Sequence, residues 1–290
     1  MTSPEPRYNE DMIIPALLLV LAASSHAQTA PFEASVVEIV RGAVPTADEL
    51  AAQIRDGARE ERMAAITRAS GMFGGFDSMG QRVVFQALRE QAESPSAPGE
   101  VRGRAFVVIG EQISWMKDEQ AKRDAVGVLL DALEAYPGDS REGFRRHAVK
   151  GLWAASSRLP QDEALENRTA KALIASAQSP DGFERTLSLY GLEDLLHSRP
   201  RLASWSRMGS VLQSVILEPI ARDPASFSND GRRDADERWA SLKVLAAIAW
   251  ASGDGSIRTR VRTVMNEVAV SDSNPVLRRQ AERWAQSIRA

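Results

Sequence analysis

The chain has 290 residues, 43% apolar and 26% charged, with a formal net charge of −3, values that fit a folded globular protein and exclude a wholly disordered one. It has no cysteine and three histidines, which excludes disulfides, a cysteine nucleophile and thiolate metal ligands and leaves little material for an imidazole-based metal site. Abundant alanine, few β-branched clusters and 6% aromatics favour helix over sheet.

The first element is the apolar run Met12 to Ala23, MIIPALLLVLAA. A helix needs about 20 apolar residues to cross a bilayer, so this run suits the core of a signal peptide instead. Ser25-His26-Ala27 resembles a small-x-small cleavage site. Residues 1–27 are therefore expected to be a leader cut after Ala27, giving an exported, periplasmic or secreted chain that starts at Gln28. The preceding MTSPEPRYNED sets Glu5, Glu10 and Asp11 against Arg7, the wrong sign for a leader; translation from Met12 removes the conflict. A buried N-terminal helix packed on the domain is the competing reading. Removing residues 1–27 leaves 36 − 1 = 35 basic and 39 − 3 = 36 acidic residues. A nearly neutral chain lacks the basic excess that drives nucleic-acid binding or attraction to anionic lipid. No nucleic-acid partner and no integral membrane span of the mature chain are expected.

Residues 28–45 read as a linker or cap, in which Glu33 to Arg41 forms a short covering helix. From residue 46 to 290 a pattern recurs. Arg62, Arg102, Arg145, Arg185, Arg238 and Arg278 are spaced by 40, 43, 40, 53 and 40 residues. Three residues after each stands Ala65, Ala105, Ala148, Ser188, Ser241 or Ala281, and seven after each Ala69, Ile109, Leu152, Leu192, Leu245 or Ala285. Offsets of 3 and 7 form one helical stripe, and its small middle residue admits a close neighbour. Before each such helix lies another. Thr46 to Glu49 is a capping-box pattern before LAAQI. Further first helices are predicted over Ser78–Glu93, Asp118–Tyr136, Gln161–Ala177, Ser204–Ala221 and Ser256–Val270. Turns such as PGDSREG, SPDG and SDSNP separate the members of a pair. The count is twelve helices in six pairs.

An acidic turn, then hydrophobe-Arg, a small residue, and Leu or Ile resembles HEAT repeats, best in VRGRAFVVIG and next in SDSNPVLRRQAERWA. The resemblance implies an all-α solenoid of about six HEAT-like helical hairpins in a right-handed superhelix. It also implies that each Arg pairs with the acidic turn of its own or the adjacent unit, for which Asp56, Asp139, Asp181 and Asp272 stand four to six residues ahead. Such a family is mostly a binding scaffold.

The candidate sites are few. The long interval before Arg238 predicts a projecting loop, ARDPASFSNDGRRDADER, residues 221–238, containing Phe227. Its Gly231 and Glu237 have the spacing of an EF-hand turn and bidentate ligand, but Ser226 and Ser228 stand where Asp is expected, so a solvated loop is the stronger reading. GMFGGFDSMG, residues 71–80, offers Phe73 and Phe76 either as an adaptable partner surface or folded back over helix ends. The six tryptophans, 115, 153, 205, 239, 250 and 284, are expected in the core at helical spacing, with Trp239 and Trp250 as partner anchors if exposed. His147 and His197 lack metal-motif neighbours. No cofactor and no catalytic constellation is expected. The chain reads as a non-enzymatic scaffold or adaptor for a protein partner. The alternative is a HEAT-like enzyme or small-ligand carrier of lyase or nucleic-acid repair type.

Overall fold

The computed structural model describes residues 44–135, 143–204 and 231–288. The chain divides into two compact units, Met1–Pro45 and Thr46–Ala290, and all described helices belong to the second. They are α1 (Ala47–Asp56), α2 (Arg59–Met72), α3 (Ser78–Glu93), α4 (Gly99–Gln112), α5 (Glu119–Ala135), α6 (Phe144–Ser156), α7 (Glu163–Ser176), α8 (Gly182–Ser198), α9 (Gly231–Ala251), α10 (Gly255–Ser271) and α11 (Pro275–Ser287). No strand occurs among the described residues, and no helix among them is long and apolar enough to cross a membrane. The predicted leader, the helix at Glu33–Arg41, Phe227 and the first helix predicted from Ser204 onward fall outside the described residues.

Local chemistry sets the helix starts. The Thr46 hydroxyl accepts the Glu49 N–H while the Glu49 carboxylate accepts the Thr46 N–H, so two backbone donors that the helix leaves bare are satisfied. Asp77, Asp162, Asp181, Asp254 and Asn274 cap α3, α7, α8, α10 and α11 in the same way with one carboxylate or amide oxygen. Pro275 opens α11, where a missing N–H costs nothing. Gly143 enters α6 with φ +65°, a left-handed conformation that glycine tolerates best.

Most helices pack on their successor, and two series of alternate helices also pack within themselves. The contacts α1–α3, α3–α5 and α5–α7 form one series, and α2–α4, α4–α6, α6–α8, α8–α9 and α9–α11 form the other. The stripe following the six arginines lies inside the second series. Its small positions, Ala65, Ala105, Ala148, Ser188, Ser241 and Ala281, are all buried, and so are Ala69, Ile109, Leu152, Leu192, Leu245 and Ala285. Between α4 and α6 the approach is closer still. A Cβ on Gly110 would lie 2.0 Å from the Gly151 carbonyl oxygen, and one on Gly151 would lie 2.5 Å from that of Phe106.

The structure corrects the loop at 221–238. Helix α9 begins at Gly231, so the stretch from Gly231 onward is not a projecting turn. Arg, Asp, Ala and Glu fill RRDADERWA, and their helix-forming tendency outweighs the turn-rich residues before them.

Candidate functional site

The arginines of the stripe first show how successive helices are joined. Arg145 Nε donates to Glu184 at 2.5 Å and Nη1 to the Leu133 carbonyl at 3.0 Å. Arg185 forms a two-pronged pair with Glu237 at 2.7 and 2.9 Å and also reaches the carbonyls of Ser179 and Pro180. Arg238 pairs with Asp272 at 2.9 Å. Glu184 and Glu237 immediately precede Arg185 and Arg238, so α8 and α9 each supply an acid to the helix before them and a cation to the acid that follows, Glu237 or Asp272. Elsewhere the pattern changes. Arg62 donates to the Gln91 side chain, and Arg102 donates to the Ala92 carbonyl while its guanidinium lies 4.0 Å from the centre of the Phe144 ring. The expectation that each arginine pairs with the acidic turn of its own or the adjacent unit is met at Arg238, through Asp272 of the adjacent turn, but not at Arg185, since Asp181 caps α8 and pairs with Arg146. Glu237 is 9% exposed and is held by Arg185.

A second stripe, 5, 8, 9 and 12 residues after the arginines, carries the candidate site. On α8 it comprises Tyr190, Glu193, Asp194 and His197. The Trp153 ring of α6 stacks on Tyr190 with centroids 5.5 Å apart, and its Nε1–H donates to Asp194 Oδ2 at 3.0 Å. On the other side Lys243 of α9 pairs with Glu193 at 2.6 Å and lies 5.4 Å from the Tyr190 ring centre. His197 meets Trp250 of α9 edge-on at 6.3 Å, and Trp250 Nε1–H donates to Ser287 of α11 at 3.3 Å. The cluster therefore runs over α6, α8, α9 and the end of α11. Ser70 and Glu111 occupy the positions of Trp153 and Asp194 on α2 and α4 and are also bonded, at 2.7 Å.

The electrostatics single out Asp194. Burial, and next the charge of Glu193, raise its carboxyl above the usual value, against the opposing Trp153 hydrogen bond and the Lys243 and His197 charges. Among the described residues no cation pairs with it, and Lys243 is bound to Glu193 instead. The Tyr190 phenol is raised by burial first, then by Asp236 and Glu193. The arrangement can present flat ring faces and an uncompensated carboxylate side by side. Among the described residues no group of histidines and carboxylates could hold a metal ion.

The predicted site residues part company. Phe73 is fully buried and is not a partner residue. The short 3₁₀ turn Phe73–Gly75 continues α2, which keeps Phe73 on the inward face seven residues after Ile66. Phe76 is half-buried against the core, with its carbonyl accepting from Lys117 Nζ. Trp239 is half-buried and packs against Trp284 at 5.6 Å. Trp250 is 49% exposed and belongs to the cluster. The expectation of core tryptophans is met in part: Trp153, Trp239 and Trp284 are half-buried against the core, whereas Trp250 is 49% exposed and Trp115 is 60% exposed over Gly74. Residue-type reading missed Tyr190, Glu193, Asp194 and Lys243; their constant offset from the arginine series was the available signal.

No family model matches this chain, and no curated protein matches its sequence. Among solved structures it is similar to the crystal structure of an engineered protein, a Northeast Structural Genomics Consortium target, with a TM-score of 0.53 and 15% identity over 83% of this chain and 96% of that one. At that identity the likeness concerns the all-helical fold alone.

Proposed function

We propose that the protein is a non-enzymatic scaffold that binds a protein partner through the outer stripe of α6, α8 and α9. Its helix pairs are taken to stack as a right-handed HEAT-like solenoid, with export after loss of a leader. One observation carries the reading: Trp153, Tyr190 and Trp250 are left partly exposed across α6, α8 and α9, beside a carboxylate that no cation among the described residues pairs with. Tyrosine and tryptophan supply large contact area at small entropic cost, the usual character of interface anchors.

The chain has no cysteine, which makes a single-cysteine crosslinking test unambiguous. Ala154 lies beside Trp153 and is exposed; Gln86, on α3 in the other helix series, is also exposed. A photo-crosslinker attached at Ala154→Cys in the native host is expected to give a discrete adduct, and one at Gln86→Cys is not. Equal labelling at both positions, or none at Ala154, would overturn the reading.

A further inference from the structure

We infer that the cluster on α6, α8 and α9 docks an arginine side chain of the partner, with the guanidinium laid along the Trp153–Tyr190 rings and paired to Asp194. The inference rests on the scaffold reading and specifies the chemistry of its face.

The chain already shows what this place attracts. Lys243 Nζ lies over the Tyr190 ring, 5.4 Å from its centre, and pairs with Glu193. Next to it, Asp194 is only partly buried, and its Oδ2 accepts the Trp153 indole N–H. Among the described residues no cation faces it at ion-pair distance. Facing charges come from α8 itself, Glu193 and His197, and from α9, Lys243; Asp236 of α9 lies nearer Tyr190. Around Asp194, Glu193 and Asp194 itself against Lys243 leave a charge of −2 + 1 = −1 before any charge on His197. An incoming cation therefore meets net attraction in a partly desolvated place, where charge pairs gain most. A guanidinium suits it better than an ammonium: it is planar, stacks on aromatic faces, stays charged, and offers parallel N–H donors to one carboxylate. Recognition of a neutral or acidic segment at the same spot would leave Asp194 uncompensated.

The probe is the peptide acetyl-Gly-Arg-Gly-amide, compared with its citrulline counterpart, which is the same shape without the charge. Titration is followed by the indole N–H resonance of Trp153 in ¹⁵N-labelled protein. The arginine peptide is expected to shift that resonance in a saturable way and to bind at least tenfold more tightly than the citrulline peptide. Asp194→Asn keeps an oxygen to accept the Trp153 N–H and so preserves the local geometry, checked by the undisturbed Trp153 signal. It is expected to abolish the tenfold preference. Equal binding of the two peptides, an unchanged preference in Asp194→Asn, or no response of Trp153 would each overturn the arginine assignment. The scaffold reading fails separately: a crosslinked partner at Ala154→Cys with no arginine preference keeps the face and discards the ligand chemistry.

Discussion

The seam between α4 and α6 and the seam between α8 and α9 join neighbours in the same helix series by opposite means. At the first, Gly110 and Gly151 let the two backbones touch, and Gly103 leaves room for the His147 ring, which would lie 2.8 Å from an added Cβ. At the second, long charged side chains reach across: Arg185 to Glu237 and Lys243 to Glu193. The consequence appears on the outer stripe. Five residues after its arginine, α4 has Val107, which is 3% exposed, whereas α8 has Tyr190 open to solvent on one side. Close backbone packing leaves little side chain to present; a bridged seam exposes charge and rings together. Recognition chemistry concentrates where the helices are tied by side chains.

The sharpest way to break this contrast is Gly110→Ala. The new methyl would meet the Gly151 carbonyl carbon and oxygen, which cannot swing aside as a flexible side chain does. A loss of about 4 kcal/mol is expected in urea unfolding, at the upper end of overpacking effects. A loss under about 1 kcal/mol would mean that the seam is not close-packed. Next comes Arg145→Ala, at the bridged junction of α6 with α8. It strips the cation from Glu184, whose side chain is 4% exposed, leaving the Ser179 hydroxyl as its remaining side-chain donor. Removing one member of such a pair costs about 3 kcal/mol. The double change Arg145→Met, Glu184→Met is expected to recover most of that loss, because it also removes the stranded charge.

Much of this contrast could be read from the sequence, but not all of it. The buried stripe was legible because helical spacing and small residue size recur together; Ala105, Ala148 and Ala281 are fully buried where that pattern puts them. Cap residues such as Thr46, Asp181 and Asn274 were legible for the same local reason. The site was not. Trp153 and Asp194 are 41 residues apart, and Glu193 and Lys243 are 50 apart. The outer stripe also changes chemistry from helix to helix: Ser70 stands where Trp153 does, and Gly110 where Glu193 does. Packing constrains residue size and leaves polar character free, so no residue-type pattern repeats. For Phe73 the glycine-rich turn left exposure and folding back both open, and helical phase decides it by carrying the ring inward.

A smaller effect separates the charged seams from one another through pH. Glu90 is lowered first by its hydrogen bond from Arg55, and Asp118 by that from Arg82. Such carboxylates stabilise the fold above their unfolded values, and that contribution is lost as pH falls through the folded ones. Asp194 works the other way. Its folded carboxyl is raised by burial and Glu193, so folding takes up a proton, and its contribution to stability improves as pH falls through the folded value. Asp194→Asn is therefore expected to be the more stable protein at neutral pH, with the advantage shrinking on acidification above the ordinary carboxylate range. Urea unfolding of both proteins at several pH values reads this directly. A difference independent of pH would show that Asp194 carries no excess proton affinity.

The smallest expected effect tests whether charge alone distinguishes the bridged seams. Arg89 and Glu93 form a 3.0 Å pair one turn apart on α3, with side chains 41% and 47% exposed. Arg238 and Asp272 lie at nearly the same distance, 2.9 Å, with side chains 11% and 4% exposed. Water screens the first pair and is largely kept from the second, so equal distances carry unequal energies. Arg89→Ala is expected to change stability by no more than about 0.5 kcal/mol, and the small change should vanish in high salt. Arg238→Ala should instead resemble Arg145→Ala and persist in salt. If the two substitutions cost the same, the seams between second helices owe nothing special to burial, and the exposed cluster on α8 loses its claim to unusual electrostatics.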